Sequence, residues 1–242
     1  MNLKISNLFS IKGKVCVITG GSGGIGSALS NHIYNNGGVS IVIDKVLPKN
    51  DIKKKVQFYK CDLSNTEDCV LILNKIKKKY KKIDCLINSV GVSDENSFIN
   101  NININFISVY NFTKKIIEIM KKKGGSIINI TSLNSELGFS NNVGYVSSKG
   151  ALKMLTKSLC VDYAKYNIRV NNLGPGYIKT KMTNKKYLKP LERNKRLNRI
   201  PLGRYGKPEE LFGAVVFLIS NASSYVTGQD IYVDGGFLAK GI

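Results

Sequence analysis

Tyr145 and Lys149 stand four residues apart in a stretch that reads as helix, so their side chains share one face. A phenol has an ordinary pKa of about 10, too high for efficient proton transfer at neutral pH. An ammonium beside it stabilises the phenolate and lowers that value. The pair therefore suits the movement of a proton on or off an alcohol oxygen. Ser132 precedes Tyr145 by 13 residues and stands at the end of a β-rich run. A hydroxyl there can hold a substrate oxygen and stabilise charge developing on it. Taken alone, Tyr-x-x-x-Lys is more often an ordinary exposed helix pair, so the reading depends on its partners.

A second group suits a phosphate. Thr19-Gly20-Gly21-Ser22-Gly23-Gly24-Ile25-Gly26 directly follows a first strand and opens a helix. Glycines let the backbone approach a pyrophosphate, and the helix N-terminus supplies unpaired N–H groups. A glycine cluster by itself is a common turn; here the elements on both sides agree. Asp44 ends the second strand, 18 residues past Gly26. An acid there accepts hydrogen bonds from both ribose hydroxyls and repels a 2′-phosphate. The alternative is an acid at the next helix start. Gly23 occupies a loop position where a basic residue meets such a phosphate, and Lys45 alone points the other way. The pattern favours NAD over NADP.

The elements that must position these groups alternate along the chain. Lys14–Thr19, Val39–Asp44, Val56–Tyr59, Ile83–Asn88, Ser126–Ile130, Ile168–Asn171 and Asp230–Val233 read as seven strands. They are short, rich in β-branched residues and nearly unalternated, as strands buried on both faces should be. Helical patterns cover Gly24–Asn35, Thr66–Lys79, Ile102–Lys122, Tyr145–Tyr166 and Pro208–Ser220. The alternation implies an α/β fold: one doubly wound parallel sheet with helices on both faces and right-handed crossovers. No linker or repeat interrupts the series, so residues 1–242 read as one domain. Few residues separate Asp44 from the third strand, which predicts a rudimentary crossover there.

Composition excludes other classes. The chain has 242 residues, of which 43% are apolar and 22% charged, enough to bury a core. No apolar run is long enough to span a bilayer, and the first residues lack a signal core, so a cytoplasmic protein is expected. Cys16, Cys61, Cys69, Cys85 and Cys160 show no CxxC spacing, and His32 is the one histidine. That excludes a zinc cluster and a disulfide framework, so no metal is expected. The formal charge is +21, yet lysine is spread along most of the chain. Weak polyanion binding at low salt is expected, without a specific nucleic-acid site. The lysine runs at Lys75–Lys82 and Lys114–Lys123 read as solvated helix faces.

In these motifs, and over nearly its whole length, the sequence resembles the short-chain dehydrogenase/reductase family. Thr19-Gly20-xxx-Gly24-x-Gly26 matches the family's TGxxxGxG, and Asn88-Ser89-Val90-Gly91 stands where NNAG is usual. Ser132 and Tyr145-Val146-Ser147-Ser148-Lys149 match its catalytic serine and YxxxK motif. Pro175-Gly176 followed by Thr180 is similar to its segment beside the nicotinamide, and Pro201–Arg204 and Val233–Gly236 match its C-terminal signatures. The resemblance implies a Rossmann-type fold, with residues 1–130 mainly binding the dinucleotide and residues 131–242 carrying catalysis and substrate. It implies that Tyr145 is the general acid/base and Ser132 holds the substrate oxygen. Lys149 would meet the nicotinamide ribose, and Asn105 would hold a relay water. With Asn105 present, the reading of Tyr145 and Lys149 as a plain surface pair becomes improbable. The implied cofactor contacts are Gly20, Ser22, Gly24, Ile25, Gly26, Asp44, Asp62, Leu63, Asn88, Gly91, Pro175, Ile178 and Thr180, together with Tyr145 and Lys149. Asp62 could equally cap the helix after Ser64-Asn65. Ser89 and Val90 depart from the usual pattern, and the stretch from Gly91 to Asn105 is shorter than usual.

The segment from Lys179 to Arg204 would close over the substrate. Ten of its 26 residues are basic, including four of the chain's five arginines, and Glu192 is its one acid. This suggests an anionic small-molecule substrate, with Arg193 and Arg196 as contacts; a solvated helix-loop is the equal alternative. The two chain ends look more like family members acting on sugars, sugar acids and polyols. An NADP-linked 3-oxoacyl-(acyl carrier protein) reductase is the second reading. A non-catalytic dinucleotide- or nucleic-acid-binding protein is the reading from another class. Family members of this size form homotetramers or dimers, so a homo-oligomer is expected.

Overall fold

A computed structural model describes residues 4–180, 183 and 190–240. Seven strands form one parallel sheet: β1 (Val15–Thr19), β2 (Val39–Asp44), β3 (Gln57–Lys60), β4 (Cys85–Asn88), β5 (Gly125–Ile130), β6 (Ile168–Pro175) and β7 (Asp230–Val233). Their order is β3-β2-β1-β4-β5-β6-β7. The chain thus winds outward from β1 to one edge, then returns and winds to the other. The fork between β1 and β4 is where connections leave to opposite faces, and it opens a crevice at the carboxyl ends of the strands.

Alternation within each strand feeds two cores. Val15 and Val17 of β1 pack with Ile41, Ile43, Phe112 and Ile116 on one face. Cys16 and Ile18 pack with Leu29, Ile33, Val215 and Leu218 on the other. Both faces are covered, so every β1 residue is buried. The helices are α1 (Gly24–Asn35), α2 (Thr66–Tyr80), α3 (Ser108–Met120), α4 (Val143–Tyr163), α5 (Pro190–Asn198) and α6 (Phe212–Ile219). At the start of α2 the Asn65 side chain accepts from Glu67 N and Asp68 N, and three lysines close the last turn. Acid at the N-terminus and base at the C-terminus both suit the helix dipole. The cap is therefore Asn65, not Asp62.

Two helical segments differ from the sequence expectation, while the short β2–β3 crossover agrees with it. The β2–β3 crossover holds only the four-residue helix Asn50–Lys53, as its length required. The predicted helix Ile102–Lys122 is broken into Phe98–Ile102, a π-helical turn Asn103–Ile107, and α3. The predicted helix Pro208–Ser220 begins as a 3-10 turn, Pro208–Leu211, before α6. Of the basic residues in the 179–204 segment, Lys181, Lys185, Lys186 and Lys189 lie outside the described residues. All five cysteines are free thiols. No helix among the described residues is long and apolar enough to cross a membrane.

Candidate active site

A cleft of about 590 Å³ runs along the carboxyl ends of the strands, from Asp44 and Asp62 at one end to Tyr145 and Arg196 at the other. The loop after β1 shapes its floor. Gly20 has φ +66°, and a Cβ there would lie 2.7 Å from the Val90 backbone. A Cβ on Gly26 would lie 2.3 Å from the Gly20 carbonyl oxygen. Neither position accepts a side chain, so bare backbone and the N-terminus of α1 face the cleft. Gly24 and Ile25 line it beside Thr180. This cradle fits the pyrophosphate of a dinucleotide.

Asp44 closes the end of the cleft away from Tyr145. Its Oδ2 accepts from Ser22 N at 3.0 Å and its Oδ1 from Val46 N at 3.0 Å. Ser22 Oγ donates to Val46 O at 2.6 Å. The carboxylate is thus fastened to the glycine loop, with lone pairs left for ribose hydroxyls. Cys61, Asp62 and Leu63 form the adjoining wall, and Lys45 Nζ lies 2.6 Å from Asp62 Oδ2.

The reacting end is assembled from three elements. Ser132 follows β5, and its hydroxyl donates to Asn134 Oδ1 at 3.2 Å while accepting from Asn134 N at 3.2 Å. Tyr145 and Lys149 lie on α4, and Lys149 Nζ is 5.7 Å from the Tyr145 ring centroid. Lys149 donates to Ile130 O at 2.8 Å and is buried. Asn105 sits in the π-helical turn, a distortion that recurs at functional sites. Its Nδ2 donates to Val92 O and to Ser148 Oγ, each at 2.9 Å, and its Oδ1 accepts from Val92 N at 2.8 Å. Gly91 lies between the two: a Cβ there would be 3.4 Å from Lys149 Nζ and 3.5 Å from Asn105 Oδ1.

Burial sets the protonation of both catalytic candidates. It pushes the Lys149 ammonium down to about 8. It pushes the Tyr145 phenol above its ordinary value, and the hydrogen bond with Ser132 only partly offsets this. The lowering expected from Lys149 is not among the causes that set the phenol in this geometry, where desolvation leads.

Most residues singled out in the sequence line this cleft: Gly20, Gly24, Ile25, Gly26, Asp44, Asp62, Leu63, Gly91, Ser132, Tyr145, Lys149, Pro175, Ile178, Thr180 and Arg196. Ser22 meets it through the Asp44 contact. Asn88 does not. It is buried, accepts weakly from Thr19 Oγ1 and donates to Thr113 Oγ1 at 2.9 Å and Asn129 Oδ1 at 2.8 Å. These bonds place it in a core network joining β1, β4, β5 and α3. Arg193 is exposed and absent from the described lining, whereas Arg196 holds its guanidinium 5.7 Å from the Tyr177 ring centroid at the cleft. Arg199 stacks on Phe237, Arg204 makes a forked pair with Glu210, and neither is among the described residues lining the cleft. Asn134 and the Ile130 carbonyl went unnoticed in the sequence. An asparagine two residues after Ser132 is a recognisable turn signal; a backbone carbonyl leaves none.

Comparison with known proteins agrees with this geometry. Residues 21–238 match the family model described as enoyl-(acyl carrier protein) reductase. A 3-oxoacyl-(acyl carrier protein) reductase of Thermotoga maritima is 34% identical over 246 residues, covering 94% of this chain and 99% of that protein. A 5-keto-D-gluconate 5-reductase of Escherichia coli is 33% identical over 256 residues, covering 97% and 99%. A solved gluconate 5-dehydrogenase from Burkholderia cenocepacia, in complex with NADP and tartrate, superposes with a TM-score of 0.90 at 27% identity, covering 98% and 99%. Sheet order, cleft and full-length matches agree: the chain belongs to the short-chain dehydrogenase/reductase family, oxidoreductases acting on CH–OH groups.

Proposed function

We propose that the protein interconverts a secondary alcohol and a ketone on a sugar, sugar acid or polyol, using NAD. The observation that carries this is the convergence of Ser132, Tyr145 and Lys149 on one end of a cleft whose other end is the glycine cradle. Nicotinamide bound between them would supply the hydride acceptor or donor and, when oxidised, a positive charge. In the oxidising direction Ser132 holds the alcohol oxygen and Tyr145 takes its proton; in the reducing direction Tyr145 returns it. Lys149 places a buried ammonium beside the phenol, favouring the phenolate once that charge is needed. Asn105, locked to Val92 and Ser148, keeps the π-helical turn against α4 and so holds Lys149 in place.

Support for a sugar-acid substrate comes from the gluconate-acting relatives and from Arg196, the guanidinium that lines the reacting half of the cleft. Support for NAD comes from Asp44 facing the glycine loop with no basic residue at Gly23. The 3-oxoacyl reductase reading keeps a place because relatives of that activity match equally well. Phe98, Ile99, Ile107, Met154 and Val161 stay exposed on the helices around the site, which suits a homo-oligomer. The test is nicotinamide absorbance during turnover, with NAD and NADP offered separately against neutral polyols, sugar acids, phosphorylated sugars and a 3-oxoacyl thioester. NAD-linked turnover of sugar acids is expected. NADP-only reduction of the thioester would replace this reading with the second one. Salt-sensitive DNA binding without turnover would overturn both.

A further inference from the structure

Three charged side chains meet at the ends of β2 and β3, where the adenosine half of a dinucleotide would lie. Asp44 is tied to Ser22 N and Val46 N. Lys45 Nζ is 2.6 Å from Asp62 Oδ2. Asp62 is held from its other side, since its Oδ1 accepts from Ser64 N at 2.9 Å and from Ser64 Oγ at 2.6 Å. Burial raises the Asp62 carboxyl, but the bonds from Lys45 and Ser64 outweigh it and keep the group below its ordinary value. It is therefore a fixed carboxylate at neutral pH. Among the described residues lining the cleft, the cations are Lys45, Lys149 and Arg196. Lys149 serves the reacting end and Arg196 lies on α5, so Lys45 is the cation within the adenosine corner.

We propose that Asp62 is a specificity-determining residue, which withholds Lys45 from a ribose 2′-phosphate. This rests on the reading of the cleft as an NAD site. A lysine beside Asp44 would otherwise give a 2′-phosphate a charge-assisted hydrogen bond. With Lys45 engaged by Asp62, the corner keeps the Asp44 charge uncompensated, and an incoming phosphate dianion meets net negative charge. The two side chains remain 55% and 40% exposed, so the pair adds little to stability. Its consequence is selection between two ligands that differ by one phosphate.

The test is calorimetric binding of adenosine 5′-monophosphate and adenosine 2′,5′-bisphosphate at low ionic strength. The proteins are the wild type, Asp62→Asn, Lys45→Gln and the double variant. Asp62→Asn is expected to raise affinity for the bisphosphate relative to the monophosphate about tenfold, and the double variant to cancel that gain. Lys45→Gln alone is expected to change the ratio less than about twofold, because its ammonium is already engaged. No gain in Asp62→Asn, or a gain that survives loss of Lys45, overturns the proposal. Asp62→Thr, which keeps a hydroxyl acceptor for Ser64 N, gives the same readings if the Asn variant does not fold. A wild type that prefers the monophosphate but is unmoved by Asp62→Asn loses this latch alone and leaves NAD selection to Asp44. A wild type that prefers the bisphosphate, and loses that preference in Lys45→Gln, overturns both this proposal and the NAD reading.

Discussion

The two ends of the cleft handle charge in opposite ways. At the adenosine end each charged group has a counterpart near the surface: Asp44 has two backbone N–H groups, and Lys45 has Asp62. Water screens these groups, so the corner binds and selects without storing much energy. At the reacting end Lys149 is buried with a backbone carbonyl as its hydrogen-bond acceptor, and Tyr145 is half-buried beside it. Desolvation there costs stability and moves both groups toward their neutral forms. A binding corner can rest on satisfied pairs, whereas a proton-transfer site needs groups whose protonation is poised to change.

Removing the poised proton gives the largest expected effect. Tyr145→Phe is expected to lower kcat about a thousandfold, with adenosine 5′-monophosphate affinity held within about twofold. Steady-state rates and calorimetry together check it; equal losses in both would erase the contrast between the ends.

Next comes the cost of the buried ammonium. The folded value of about 8 lies below the ordinary 10.5 of lysine, so the unfolded chain binds more protons across that interval. Stability therefore rises with pH between about 8 and 10.5 and is flat below about 8, a gain of roughly 3 kcal/mol for this group. Lys149→Met is expected to lack that rise. Urea melts at pH 7 and at successive steps above pH 8 would show parallel curves for both proteins if the ammonium were not desolvated.

At the binding end, Gly26→Ala puts a methyl against the Gly20 carbonyl oxygen. The loop must shift, so affinity for adenosine 5′-diphosphoribose is expected to fall about tenfold. A kcat at saturating cofactor that falls as far would mean the two ends are not separable. Smallest is Arg196→Gln, expected to raise KM for an acidic substrate about fivefold and leave a neutral polyol unchanged. Arg193→Gln serves as its control, since Arg193 does not line the cleft. Equal KM values for Arg196→Gln and the wild type on the acid would reduce Arg196 to a ring contact with Tyr177.

Fold and site were legible to different depths. The edge strands β3 and β7 are only half-buried and were marked by their place in the series. β-branched runs between helical patterns marked the central strands, because strands buried on both faces carry no polar alternation. The same property hid the direction of Asn88. Both faces of β4 are covered, and nothing in Cys85-Leu86-Ile87-Asn88 shows which way its last side chain turns. The π-helical turn at Asn103–Ile107 was also invisible, since one extra residue in a turn leaves the apolar pattern almost unchanged. Arg193 and Arg196 differ by three positions on one helix. Their separation depends on how α5 docks against Tyr177, a contact between distant parts of the chain.

By itself the sequence determined the order of elements, the glycine loop, and the spacing of Ser132, Tyr145 and Lys149. These depend on neighbours within a turn or two, where backbone sterics and helix geometry operate. Only the tertiary structure decided that Lys45 faces Asp62, that Asn88 belongs to the core, and that burial leads in setting the Tyr145 phenol. Those outcomes depend on which strands lie side by side and how much water the packed elements exclude, and neither quantity is local to the residues concerned.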